Sequence, residues 1–390
     1  MSGKAIWLDC DPGHDDALAL LLALFSSAHL VGCSAVGGNA PVQATFANAA
    51  RLLTFYGAKL PDGPQDVALA KGGTHLFMGS ELPLIKAARF DPGIHGDDGL
   101  GGVVGLPELE SEHVQQRVWA SYPPVVRSQG QLPPATPGYL LRYWSDLLSY
   151  RIEHNLPKLT LVATGSMTNV ALLLKAFPDL AEQGVEEVVI MGGAPPGTRG
   201  NRGALAEFNI LVDPEAAAIL FNHPIRVTMA GLNVTHQAIF RPDLLKRLLT
   251  PPVSPLRKTL ASILTFFADT YRTEFGFQEG PPVHDLLAVA WVLQPEIFFN
   301  EEAGGEGEGK QRFAPPRAYE TRVECADGSL ALGATVVDFP TSTAPEKVTT
   351  GWGREGPNVV VLESVATDRL WELFFQCVER ADEEKGPRDE

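Results

Sequence analysis

Short apolar runs alternate with longer helical stretches through most of the chain. Residues 5–10 read as a buried strand, and residues 15–25 as a helix whose first turn is acidic, where the helix dipole favours negative charge. Residues 30–36 read as a second strand. A helix over 41–56 follows, with proline at its start and Gly57 just past its end. The alternation resumes with strands at 159–163, 187–191 and 225–230 and helices at 168–177 and 213–222. This order predicts an α/β fold of Rossmann-like kind, a mostly parallel central sheet with helices on both faces. Sheets of this kind take ligands outside the carboxyl ends of their strands.

Two stretches break the rhythm. Residues 107–137, rich in proline and polar side chains, read as a surface loop or insertion, and residues 303–316, with alternating glycine and glutamate, as a flexible excursion. Beyond them, residues 319–324 and 333–339 predict a small C-terminal hairpin and residues 365–380 a closing helix. Residues 381–390 read as a frayed, disordered tail. With no internal repeat and no linker, residues 1–380 are expected to form a single domain.

Composition narrows the function. The chain has 390 residues, 45% hydrophobic, enough for a large core. Its net charge of −16 argues against nucleic acid or an anionic membrane surface as partner and suits a neutral or cationic small molecule. Cys10, Cys33, Cys325 and Cys377 form no CxxC pair. With no secretory signal pattern, the expected compartment is the reducing cytoplasm.

The densest chemistry lies where the first strand hands over to its helix, at Asp9-Cys10-Asp11-Pro12-Gly13-His14-Asp15-Asp16. Crowded carboxylates at a strand end either hold protons or take a cation, and oxygen ligands suit Ca²⁺ or Mg²⁺. An EF-hand is excluded, because position 12 of such a loop would be Leu20. Other strand ends carry polar sets: Gly37-Gly38-Asn39, Ala163-Thr164-Gly165-Ser166-Met167-Thr168-Asn169, Met191-Gly192-Gly193 with Gly200-Asn201 and Glu207-Phe208-Asn209, and His284-Asp285 opening an apolar helix. Asn39 and Asp285 also suit a turn and a helix cap.

The first segment resembles the DTDPGxDD signature of the inosine–uridine-preferring nucleoside hydrolases, with Cys10 in place of threonine, and the later segments follow in that family's order. The resemblance implies the nucleoside hydrolase fold, hydrolysis of the N-glycosidic bond of ribonucleosides such as uridine and inosine, and homodimers or homotetramers. It implies a Ca²⁺ held by Asp11, Asp16, the Thr164 carbonyl and Asp285. Asp11 is then the general base and His284 the leaving-group acid. Asp15, Asn39, Met191, Asn201, Glu207, Asn209 and Asp285 would meet the substrate, and His95, in a glycine-rich loop, would approach it. The base pocket would lie around residues 266–277.

Two other readings compete. Asp9 and Asp11 could serve a Mg²⁺-dependent phosphatase of the haloacid-dehalogenase type, although the other acids would then have no task. The chain could also be an inactive nucleoside- or Ca²⁺-binding homologue.

Overall fold

The computed structural model describes residues 3–64, 66–67, 72–129, 132–302, 312–339 and 356–385. Its main sheet contains β1 (Ala5–Cys10), β2 (His29–Ala35), β3 (His75–Met78), β4 (Leu159–Ala163), β5 (Val185–Met191), β6 (Val227–Ala230), β7 (Ala318–Tyr319) and β8 (Val359–Val361). These lie in the order β3-β2-β1-β4-β5-β6-β8-β7, and every neighbouring pair is parallel except β8 with β7. All six residues of β1 are buried although alternate side chains point to opposite faces, so the sheet is covered on both sides.

Four helices matter most for the site: α1 (His14–Phe25), α2 (Pro255–Phe275), α3 (Asp285–Leu293) and α4 (Thr367–Lys385). The apolar run of α1 is buried nearly all round because α3 and α4 both pack on it. Each fully buried leucine there, truncated to alanine, would cost about 2–5 kcal/mol. Among the described residues no helix is long and apolar enough to cross a membrane.

The register decides where chemistry can gather. Asp9 pairs with Ser34 on one side and Ala163 on the other, Ala163 with Ile190, and Ile190 with Met229. The carboxyl ends of β1, β2, β4, β5 and β6 are therefore level, and the loops that follow open onto one crevice. The strand order reverses direction between β1 and β4, the place where open parallel sheets bind ligands.

Three local expectations need correction. The stretch at 107–137 carries a helix, Glu112–Ala120, with Val114, Val118 and Trp119 buried, and then a 3₁₀ turn at Pro124–Gln129. Pro107 and Pro123 bracket this helix rather than interrupt it. The buried Arg117 donates to the carbonyls of Ala58, Lys59 and Thr74, which hides a polar residue in an apolar face. Residues 130–131 lie outside the described residues.

The closing helix runs on through Lys385, because Ala381 is fully buried and Asp382 is paired with Arg257 at 2.6 Å and accepts from Ser254 Oγ at 2.6 Å. Of the expected tail, 386–390 lie outside the described residues. Around the glycine-rich excursion, Asn300–Glu302 pairs antiparallel with Arg312–Ala314; residues 303–311 lie outside the described residues. The C-terminal hairpin forms as Thr321–Val323 against Thr335–Val337, while β7 and β8 extend the main sheet.

Candidate active site

β1 ends in the turn Pro12-Gly13, and α1 opens with His14, Asp15 and Asp16; Asp9, Asp11 and Asp16 have no exposed surface and Asp15 almost none. Asp9 is locked below the site, accepting from Ser34 Oγ at 2.5 Å and Asn169 Nδ2 at 2.8 Å, and burial pushes its carboxyl up to about 7. Asp11 Oδ2 accepts the Asn39 amide at 2.7 Å, whereas its Oδ1 is buried without a hydrogen-bond partner among the described residues. Asp16 accepts from the Gly13 amide at 2.9 Å, Thr164 Oγ1 at 2.8 Å and Asn39 Nδ2 at 3.3 Å. Two glycines permit this crowding. A Cβ on Gly38 would stand 2.0 Å from Asp11 Oδ2, and one on Gly165 would stand 2.8 Å from Oδ1.

Asp15, Asp16 and Asp285 each bring an oxygen within 4.8 Å of the others. Burial raises all three carboxyls, and mutual repulsion adds to it for Asp15, pushed to about 7, and for Asp285. Asp11 is raised well above the carboxylate range by burial first and the Asp16 charge second. Buried like charges must either share protons or be compensated by a cation. An all-oxygen donor set with one unpartnered carboxylate oxygen fits a hard divalent ion. The converging trio includes Asp15, which the sequence placed on ribose, and not Asp11, whose carboxyl is nonetheless close enough to feel the charges of Asp16 and Asp15. The Thr164 carbonyl accepts Asn209 Nδ2 at 2.7 Å in this structure.

A small cleft, open to solvent, lies over the cluster. Asp15, Asn39, His95, Thr164, Met191, Asn201, Glu207, Asn209, His284 and Asp285 line it, whereas the fully buried Asp11 and Asp16 do not. Glu207 accepts the amides of Gly193, Asn209 and Ile210 and so caps the short helix Phe208–Val212. Asn209 Nδ2 also reaches the Met191 carbonyl at 3.1 Å and its sulfur at 3.3 Å. Asn201 Oδ1 takes the Phe208 amide at 2.9 Å. Fixed in this way, these polar groups are pre-organised donors and acceptors facing one space.

His284 has both ring nitrogens engaged by hydroxyls: Nε2 with Tyr271 Oη at 2.7 Å and Nδ1 with Thr235 Oγ1 at 2.8 Å. Burial pushes the imidazole well below its usual range and the Tyr271 phenol well above its own, so both are neutral near pH 7. His95 is buried. Its Nδ1 lies 3.3 Å from that of His14, whose Nε2 meets the Gly101 carbonyl at 3.0 Å and whose ring stacks 4.8 Å from Phe266.

Sequence reasoning placed the base pocket around residues 266–277, which holds Tyr271 and Phe275 of the wall, but did not single out Tyr271, and it missed Arg202 in the wall and Thr235 behind His284. A faint signal existed: Phe267, Tyr271 and Phe275 recur every fourth position along α2, a spacing that a core stripe shares. Asp9 is fully buried and does not line the cavity, which leaves the phosphatase reading without an accessible nucleophile.

The sequence profile described as "Inosine-uridine preferring nucleoside hydrolase" matches residues 6–372. The pyrimidine-specific ribonucleoside hydrolase RihA of Shewanella baltica (strain OS185) is 36% identical over 338 residues, 86% of this chain and 86% of its own length. The RihA of Salmonella paratyphi A (strain ATCC 9150 / SARB42) is 37% identical over 311 residues, 78% of this chain and 85% of its own. Among solved structures, the purine-preferring ribonucleoside hydrolase from Gardnerella vaginalis has the same fold, with a TM-score of 0.70 at 24% identity over 97% of this chain and 99% of that one. The chain thus belongs to the inosine–uridine-preferring nucleoside hydrolase family, hydrolases that cut the N-glycosidic bond of ribonucleosides to release base and ribose.

Proposed function

We propose that the cavity binds a ribonucleoside with its ribose hydroxyls on the carboxylate floor and its base against the α2 wall, and that Asp11 is the general base. The observation that carries this is Asp11 Oδ1, buried and unpartnered among the described residues, on a carboxyl close enough to Asp15 and Asp16 to feel both charges. Cleaving a ribosyl C–N bond builds positive charge on the sugar and negative charge on the base. Asp11 removes a proton from the attacking water, and the carboxylate floor steadies the sugar cation. Asp15, Asn39, Asn201, Glu207, Asn209 and Asp285 hold the ribose, with Met191 beside it. Ca²⁺, held by Asp11, Asp16, the Thr164 carbonyl and Asp285, would neutralise the cluster, hold the ribose hydroxyls and lower the pKa of the water.

At the other end, the leaving-group acid expected at His284 is assigned to Tyr271 instead, because both His284 ring nitrogens are already engaged by hydroxyls; Tyr271 offers its hydroxyl proton to the departing base. The tautomer that frees this proton has His284 Nε2–H donating to Tyr271 Oη while Thr235 donates to Nδ1. His95 approaches the same space from the facing loop. The pyrimidine-specific names of the relatives above 35% identity support uridine and cytidine ahead of inosine. We further propose a cytoplasmic homodimer or homotetramer.

The test is release of free base from uridine, cytidine, inosine, adenosine and deoxyuridine, with and without chelator. Uridine should be cleaved, chelation should stop it, and deoxyuridine should be slower by roughly 10⁴-fold, because a missing hydroxyl strands buried polar groups. Similar kcat/KM for uridine and deoxyuridine, or full activity in chelator, would refute the reading.

A further inference from the structure

The loop that supplies Asn201 also supplies Arg202, the one lysine or arginine among the described residues lining the cavity. Its amide donates to the Ala206 carbonyl at 3.0 Å, and Nη1 donates to the Asn201 carbonyl at 2.7 Å. Nη2 is ion-paired with Asp91. The guanidinium carbon lies 5.5 Å from the Phe208 ring centroid and 5.6 Å from that of Phe275. One side chain therefore joins three segments of the cavity wall: the ribose-side loop, the turn at residues 91–95, and the end of α2 beyond Tyr271.

Asp91 is a well-placed anchor. Its amide donates to the Asn39 carbonyl at 3.2 Å, and its carbonyl accepts the His95 amide at 3.1 Å. A shift of Asp91 is thus passed to Asn39 and His95, both in the cavity wall. The two side chains are only 26% and 14% exposed, so solvent and salt screen the pair weakly. Removing either partner strands the other charge. The guanidinium can slide on flat aromatic faces without losing all contact, which suits a contact that opens and recloses.

We infer that Arg202 is a positioning residue that fastens the mouth of the cavity: paired with Asp91, it holds the His95 turn against the ribose-side loop over a bound ribonucleoside. The inference rests on the ribonucleoside reading and adds to it a closure that no other residue in the wall supplies by charge.

Steady-state kinetics on uridine, with thermal melting, test it in Arg202→Gln, Asp91→Asn and the double variant. Each single change should raise KM roughly tenfold while lowering kcat much less, the signature of lost binding rather than lost chemistry. The double variant should be no worse than the worse single, since both remove one interaction. Should Arg202→Gln melt early, Arg202→Lys replaces it; that variant keeps the charge, loses the planar fork, and should show an intermediate KM. Unchanged KM in the singles, multiplying effects in the double, or a fall in kcat as large as the rise in KM would overturn the clasp. Failure of the wild-type protein to release uracil from uridine would instead sink the ribonucleoside reading.

Discussion

Tyr271→Phe isolates one oxygen. The phenyl ring keeps its packing against Phe267, 4.7 Å away between centroids, while the 2.7 Å contact with His284 Nε2 disappears. Two consequences separate cleanly. A buried ring nitrogen left unpaired costs about 1–3 kcal/mol of stability, a few degrees of melting temperature in a chain of this size. Loss of a donor aimed at developing negative charge costs about 10²–10³-fold in kcat. The assay compares uridine with 4-nitrophenyl riboside, whose nitrophenolate leaves without being protonated. Uridine kcat/KM should fall by about 10²–10³-fold and the nitrophenyl substrate by only a few fold. Equal losses on both substrates would refute the role of the hydroxyl and leave Tyr271 a packing residue. Thr235→Val, which removes the partner of Nδ1 but not the Tyr271 proton, should lie between wild type and Tyr271→Phe on uridine.

Three further outcomes follow from particular contacts. Asp11→Asn keeps the shape but removes the base, and should lower uridine turnover by about 10³-fold or more in a free-base assay; near-normal turnover would reassign that role. Gly38→Ala puts a methyl 2.0 Å from Asp11 Oδ2 and should cost about 10²-fold in kcat by displacing the carboxylate, while Gly63→Ala, with open space around it, should not touch activity. His75, buried between Ser121 and the Asp66 carbonyl, is pushed down by burial to about 4. The unfolded chain therefore takes up a proton near pH 6.5 that the folded protein refuses. Stability from this site is full above that pH and lost by about 3 kcal/mol as the pH falls toward 4. Urea unfolding at pH 7 and pH 4.5 should show a smaller drop in His75→Asn than in wild type.

The parallel sheet was legible because its strands are buried on both faces and so read as unbroken apolar runs, as in β1. What escaped were the short strands. β3 has four residues and β8 three, too few for a period to stand out from any apolar cluster. The helix Glu112–Ala120 escaped for another reason: its buried Arg117 meets carbonyls from a different part of the chain, and local pattern carries no record of such partners. The site divides similarly. Residues at strand ends were readable because the sheet register forces those ends together. For Tyr271 only the segment was legible, as part of the expected base pocket at 266–277, and Arg202 was not legible at all, since a place on a long helix or in a loop after a strand does not say which side chain reaches the cavity.

The sequence offered cap and active-site acid as alternatives at Asp285, and other carboxylates of the cluster show that the two roles are compatible. Asp16 accepts the Gly13 amide at the start of α1, Asp15 accepts the His284 amide at 3.3 Å at the start of α3, and Glu207 caps Phe208–Val212. Asp15, Asp16 and Glu207 are thus also acceptors at helix N-termini, where the peptide dipoles favour negative charge, whereas Asp11 accepts the Asn39 amide from the loop after β2. Burying this many carboxylates is costly, and the backbone amides offset part of that cost before any ion or substrate arrives. The same bonds fix each side chain's direction, since an oxygen committed to an amide leaves the remaining lone pairs pointing along a set line. On this argument the capping geometry is what makes the carboxylates usable: without it, repulsion among Asp11, Asp15, Asp16 and Asp285 would be relieved by rotation away from one another, and the crevice would lose its acceptors.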